Sequence, residues 1–279
     1  MAIYEKCQTA EYLIMKEIFK AKKMEQGLAK MIEDLIYKNV ETFHDNGALK
    51  ERYTLKYGHI NGLYQKWYEN GQIDFEATYI DGNLNGNLKM WHDNGNLHIQ
   101  TSFINDKENG EFKSWHENGC LHIQMTYVNG DFHGEYKQWY SNGQLQGIYN
   151  YDHGVICGEY KDFHNNGQLM CKTNYINGKQ EDGLWIRYYS DGSVFIQVPY
   201  LNGKMEGQYK EFYQNGVLKI QKTYVDGNCI GEYKEYFENG KIRIEATCID
   251  EDVFHGEYKE WLDDNHYIHL MYNNGVIID

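Results

Sequence analysis

A turn signal returns every 24 residues along most of this chain. It stands at Asn46-Gly47, Asn70-Gly71, Asn94-Gly95, Asn118-Gly119, Asn142-Gly143 and Asn166-Gly167, then at Asp191-Gly192 after one 25-residue interval, then at Asn215-Gly216 and Asn239-Gly240. A fixed period of this size marks a repeat architecture, in which each unit is one small supersecondary element stacked on its neighbours. A second signal lies roughly midway, at Gly58, Gly82, Gly130, Gly154, Gly178, Gly203 and Gly227, with Asp106 and Glu251 standing where two further glycines would fall. Two turns per repeat leave two segments of about seven residues, long enough for a strand and too short for an ordinary helix.

The segment after each Asn-Gly alternates, as in Ile73, Phe75, Ala77, Tyr79 and again in Leu121, Ile123, Met125, Tyr127. Period two predicts a strand with one buried face. The segment before it follows Gly-x-aromatic-x-x-aromatic-aromatic/His, as in Gly62 to Tyr68 and Gly207 to Tyr213, and forms the partner strand of a hairpin. Asn-Gly suits a two-residue type I′ turn, because both central residues need positive φ. That register sets Tyr68 opposite Ile73, Tyr64 opposite Ala77, and Trp67 on the other face opposite Asp74. A three-residue turn with a bulge would exchange these faces.

The chain is thus expected to be all-β: an elongated antiparallel β-hairpin ribbon of about ten repeats over residues 37–279, behind a short N-terminal helical cap at residues 1–36. Each repeat would advance the stack by about 9.6 Å. In the cap, Tyr12, Met15, Ile18, Phe19, Met24, Leu28, Met31, Ile32 and Leu35 recur at three- and four-residue intervals. This amphipathic stripe could cover the open edge of the first hairpin or, as the rival use, form a homodimer. At the other end Asn265-His266 replaces Asn-Gly, and the strand starting at Gly256 is expected to be an exposed edge.

Composition narrows the function. Aromatic residues make up 15% of the chain, too many for a disordered acidic one. The net charge of −14 repels phosphate backbones and anionic lipid, which disfavours nucleic acid and membrane as partners. Six cysteines without C-x-x-C spacing and without a secretory leader point to free thiols and an intracellular, cytoplasmic setting.

The recurring Gly-x-Tyr-Lys-x-Trp-Tyr-x-Asn-Gly-x-Leu, with a later Tyr-x-x-Gly, resembles the variant class of MORN repeats over about residues 37 to 279. The resemblance implies extended β-hairpin ribbons and an interaction role, and proteins of this class occur in bacterial antitoxin-like proteins, protists and large DNA viruses. MORN repeats elsewhere are linked to lipid binding, dimerisation and organelle scaffolding, of which the acidic balance here disfavours the phosphoinositide use.

One aromatic per repeat falls on the second face: Trp67, Trp91, Trp115, Trp139, Phe163, Tyr188, Phe212, Tyr236 and Trp261. These are the candidate partner-binding residues, unless sheet curvature buries them as a second, minor core. His92 with His116, and His98 with His122, occupy repeat positions about 9.6 Å apart, too far to share a zinc ion; a pair across one hairpin, such as His92 with His98, is the conceivable exception. No metal and no cofactor is expected. Glu135, Glu159, Glu232 and Glu257 share one Gly-Glu-Tyr-Lys slot, which suits solvated cross-strand pairing with lysine better than acid-base chemistry. With no phosphate loop, G-x-S-x-G or H-E-x-x-H, no enzyme is expected. The expected function is a non-enzymatic protein-protein interaction or structural scaffold, as in a viral particle; the alternative is an antitoxin-like inhibitor that blocks one protein.

Overall fold

The computed structural model describes residues 16–31, 36–251, 253–263 and 266–278. Its strands form one antiparallel sheet of 27 strands, joined hairpin to hairpin in chain order. The chain divides into two compact units, Met1–Lys107 and Glu108–Asp279.

In the first unit, residues 16–31 are helical, and Ile18, Phe19, Met24, Leu28 and Met31 of its apolar stripe are exposed. Tyr12, Met15, Ile32 and Leu35 of that stripe lie outside the described residues. The hairpin Gly62–Trp67 with Ile73–Ile80 shows the repeat in full. Tyr64 sits across from Ala77 and Lys66 across from Phe75, as the expected register has them, but Trp67 then pairs with Ile73 because the register shifts between Lys66 and Trp67.

The cause is the turn. Tyr68 N–H donates to Gln72 O at 2.9 Å and Gly71 N–H donates back to Tyr68 O, also at 2.9 Å, which closes a three-residue loop. Gly71 has φ +82° while Asn70 does not enter the left-handed region, so the loop is a type I turn ending in a bulge and not type I′. On the partner strand the same shift skips from Ile73 to Phe75 and places Asp74 beside Phe75 opposite Lys66. Ile73 and its equivalents therefore share a face with Trp67, while Asp74 and its equivalents join the Tyr64 face. Both placements correct the sequence expectation.

The two-residue type I′ turns sit at the other end of each repeat. Asp81-Gly82, Asn129-Gly130, His153-Gly154 and Asn202-Gly203 carry positive φ at both positions, as that turn requires. Asn105-Asp106 does so without any glycine. The type I′ turn expected at Asn-Gly is thus found at the midway signal, and the Asn-Gly turns take the three-residue, bulged alternative.

The Asn of each Asn-Gly turn is needed for its side chain. Asn142 Oδ1 accepts the N–H of Gln144 at 3.0 Å, and its Nδ2 donates to the carbonyl of Asn165 at 2.9 Å, one repeat on. The same double contact recurs at Asn46, Asn70, Asn118, Asn166 and Asn215. Asp191 has no amide to donate, and Gln214 Nε2 donates to it instead at 2.6 Å. Hydrogen bonds from Ser193 and Gln214 hold the Asp191 carboxyl down at about 2.

A single sheet has no second layer, so little of it is fully buried. The buried apolar side chains are few, Ala77 in the first unit and Met125, Cys171, Val198, Tyr224, Ile244 and Ala246 among those of the second, and all lie on the Tyr face. In the second unit Cys229 and Cys248 are disulfide-bonded, while Cys120, Cys157 and Cys171 are free. The expectation of free thiols throughout is corrected for that pair; Cys7 lies outside the described residues. At the C-terminus the strand Val253–Trp261 is not the edge, because Tyr267–Asn273 and then Val276–Ile277 pair beyond it.

Candidate functional site

Strand alternation and the bulge together build the Trp face. Within Gly62–Trp67, residues 63, 65 and 67 point to one side and 64 and 66 to the other. The Arg52 guanidinium lies 5.6 Å from the centre of the Trp67 ring on the first side. On the second, Tyr64 packs edge-on against Phe75 at 5.7 Å and Tyr79 at 6.0 Å.

Every candidate aromatic but Trp261 is joined on the Trp face by the aliphatic residue that the bulge turns over. In the first unit Trp67 pairs with Ile73 and Trp91 with Leu97. In the second, Trp115 pairs with Leu121, Trp139 with Leu145, Phe163 with Leu169, Tyr188 with Val194, Phe212 with Leu218 and Tyr236 with Ile242. Trp261 pairs with Tyr267, ring centres 5.8 Å apart. All nine aromatics are half-buried. Between Trp261, Ile242, Leu262 and Phe237 the surface forms an open depression of about 940 Å³.

Beside this row runs a rail of ion pairs. Lys113 meets Glu111 at 2.8 Å, Lys161 meets Glu159 at 2.7 Å and Lys259 meets Glu257 at 3.0 Å, with Lys137–Glu135 and Lys234–Glu232 alike. These partners are two residues apart on one strand, not across the hairpin as expected; only Lys234 also reaches across, to Glu245 at 3.6 Å. The lysine beside it lowers the Glu257 carboxyl, and the hydrogen bond donated to Glu232 raises the Lys234 ammonium. Such exposed pairs add little to stability and serve mainly to keep one side of the row wet.

Where a tyrosine or histidine follows the aromatic of this position, it stitches its repeat to the next. Tyr68 Oη donates to Trp91 O at 2.6 Å, Tyr140 Oη to Phe163 O at 2.9 Å and Tyr213 Oη to Tyr236 O at 2.8 Å. His44, His116 and His164 replace the phenol, each with Nε2 2.8 to 3.0 Å from the corresponding carbonyl. A carbonyl only accepts, so the imidazole Nε2 carries the proton. The rings of His92 and His98 stack at 4.2 Å, and those of His116 and His122 lie 4.3 Å apart. Histidines at these positions are rungs of the ladder.

The Tyr face holds a polar cluster around Asp162. Asp162 accepts Tyr149 Oη at 2.5 Å and Tyr160 Oη at 2.7 Å, with Cys171 Sγ 3.9 Å away. Tyr149 occupies a position filled elsewhere by Ala77, Thr101 or Val198, and Gly147 makes the room: a Cβ there would fall onto the Tyr149 hydroxyl. Burial and then Asp162 push both phenols far above their ordinary range, and burial lifts the Cys171 thiol to about 11. A thiol held protonated is a poor nucleophile, so the cluster is packing.

Among the described residues no helix is long and apolar enough to cross a membrane. No curated protein matches this chain. Solved structures that match include "Crystal Structure of TcdB2-TccC3", at 12% identity and a TM-score of 0.20, where the match covers 86% of this chain and 15% of that one. "Crystal Structure of TcdB2-TccC3 without hypervariable C-terminal region" matches at 8% identity and a TM-score of 0.20, over 84% of this chain and 15% of that one. The description "MORN repeat variant" matches eight consecutive segments, residues 60–81, 84–105, 108–129, 132–153, 156–177, 181–202, 205–226 and 230–247. These segments coincide with the hairpin units that the turns, bulges and stitches define, and the chain belongs to the MORN repeat variant family.

Proposed function

We propose that this chain is a non-enzymatic scaffold that docks a protein partner on its Trp face. The observation that carries this reading is the pairing of a half-buried aromatic with an aliphatic residue in hairpin after hairpin, bordered by Lys–Glu pairs. Aromatic anchors with a wet, charged margin are what protein interfaces use. The Tyr face does the work of a core, which frees the Trp face for contact.

The partner belongs to a larger assembly in this proposal, built inside the cell and carried in a released particle such as a virion. The Cys229–Cys248 bond supports that ending, because particle surfaces, unlike the cytosol, keep disulfides oxidised. The same N-terminal stripe that could cap the first hairpin is available for homodimerisation.

The test combines Trp115→Ser and Trp139→Ser in the full chain and measures both melting temperature and the mass of complexes crosslinked in the source. Loss of the complexes at an unchanged melting temperature supports docking; a collapse in melting temperature assigns the row to the core and overturns it. A discrete 1:1 or 2:2 complex in the unmutated protein would replace the assembly by an inhibitor that blocks one partner.

A further inference from the structure

Near the two-residue turns of the second unit, one side-chain rung stands out. The residue ahead of several short Gly-x-aromatic strands reaches the turn that follows. Asn109 Nδ2 donates to Asn129 Oδ1 at 3.4 Å, Asp182 accepts the N–H of Asn202 at 2.5 Å, and Glu206 accepts that of Asp226 at 2.7 Å. In the first unit Asn85 does the same to Asn105 at 3.0 Å. The rung between these, at 133 and 153, holds two histidines.

A third change coincides. The residue before the turn is Val128, Ile176, Leu201 or Val225 in neighbouring repeats and Asp152 here. His153 Nδ1 lies 2.7 Å from Asp152 Oδ1, His133 Nδ1 lies 3.4 Å from the same oxygen, and the two imidazole centres are 5.0 Å apart. One ligand atom from each of the three falls within 4.8 Å of the others. His133 Nδ1 is buried and makes no hydrogen bond among the described residues. Asp131 adds a second carboxylate beside Gly154 in the same turn, where its Oδ1 lies 4.0 Å from the place of a Cβ.

We propose that His133, Asp152 and His153 form a binding site for one divalent cation of the zinc class. Two imidazoles and a carboxylate suit a borderline cation, with a water molecule as the fourth ligand. Ligands about 2.0 to 2.1 Å from a tetrahedral ion stand roughly 3.3 Å apart, which the His133–Asp152 distance already matches. The His153–Asp152 pair has only to exchange its hydrogen bond for the ion, and both side chains are exposed enough to turn. The bound ion ties residue 133 at the start of one hairpin to residues 152 and 153 at its far end, where the rungs at 109 and 182 use an amide and a carboxylate.

The experiment titrates zinc into the full chain by calorimetry. The unmutated protein takes up one equivalent, and its melting temperature rises with zinc because the ion binds only the folded chain. His133→Asn with His153→Asn installs the Asn–Asn rung that 109 and 129 already form, so the fold persists while that equivalent disappears. Asp152→Val, the residue at 128, weakens binding by at least about 10-fold, the least that even an outer-shell change costs. His98→Asn with His122→Asn leaves the equivalent intact. The proposal is overturned if the unmutated protein takes up no zinc, or if the Asn–Asn variant binds as the unmutated chain does.

Discussion

Around Tyr149 and Tyr160 the Tyr face of the second unit is filled by hydrogen-bonded polar groups, whereas around Cys229 and Cys248 it is closed by a covalent bond. Both places depart from the aromatic and aliphatic filling of neighbouring repeats. At the first, Gly147 gives up a side chain so that the Tyr149 phenol can reach Asp162, and a large residue beside a missing one keeps the volume. At the second, Cys248 stands where other repeats carry Tyr127 or Tyr200, and Cys229 where they carry Phe132 or Met205; Tyr209, Tyr224, Tyr233 and Phe254 close around the bond. A sheet without a second layer buries too little to spare a ring, so each loss is offset locally. One repair depends on protons and the other on redox state.

That contrast predicts responses in order of size. Reducing Cys229–Cys248, or replacing both residues by Ser, should cost about 3 kcal/mol for a loop closed over a separation of 19 residues. Denaturant unfolding with and without reductant measures it, and an unchanged midpoint would show that the bond adds nothing beyond packing. Gly147→Ile, the side chain found at 123 and 196, should cost about 1 to 3 kcal/mol by overpacking. Adding Tyr149→Ala should recover most of that loss; a double variant no better than the single would break the volume argument.

Asp162→Asn should cost about 1 to 2 kcal/mol, because two phenols lose a charged acceptor. It should also bring Tyr149 and Tyr160 down toward ordinary phenol behaviour in an absorbance titration. The sign of the pH effect follows. Burial, and then Asp162, raises both phenols in the folded state. Their contribution is therefore complete below the unfolded phenol value of about 10 and is lost as pH rises past it. Alkali should weaken this rung while leaving the cysteine rung to reductant. The smallest effect belongs to Asn142→Asp, which keeps the contact to Gln144 and loses the donor to Asn165. About 0.5 to 1 kcal/mol is expected in thermal unfolding.

The 24-residue period and the alternation of the strands were enough to give the hairpins, their order and the Tyr64–Ala77 register. The faces near the Asn-Gly turns are not legible in the sequence, because Asn-Gly suits a pair of left-handed residues as well as a three-residue turn with a bulge. In the folded chain only the glycine is left-handed, and the asparagine is there to bond twice through its amide. The bulge that turns Ile73 over leaves no mark in composition. The nine aromatics could be placed one per repeat, but their aliphatic partners required the bulge. The His133, Asp152 and His153 cluster is invisible at equivalent repeat positions, since its signal is the reverse: three residues that break the repeat where 133 meets the next turn. Cys229 and Cys248 were hidden likewise, 19 residues apart in chain and adjacent only once the hairpins stack.

The stitches made by Tyr68, Tyr140 and Tyr213, and by the amides of Asn70, Asn142 and Asn215, all run forward along the chain, donor first and acceptor about 23 residues later. The polymer is therefore vectorial. For these stitches, trimming repeats from the C-terminus strands hydroxyl and amide donors on the new last hairpin, while trimming from the N-terminus bares carbonyls that water readily serves. During synthesis each hairpin stays unlatched until the following one has left the ribosome, so the growing end always trails one unfinished unit.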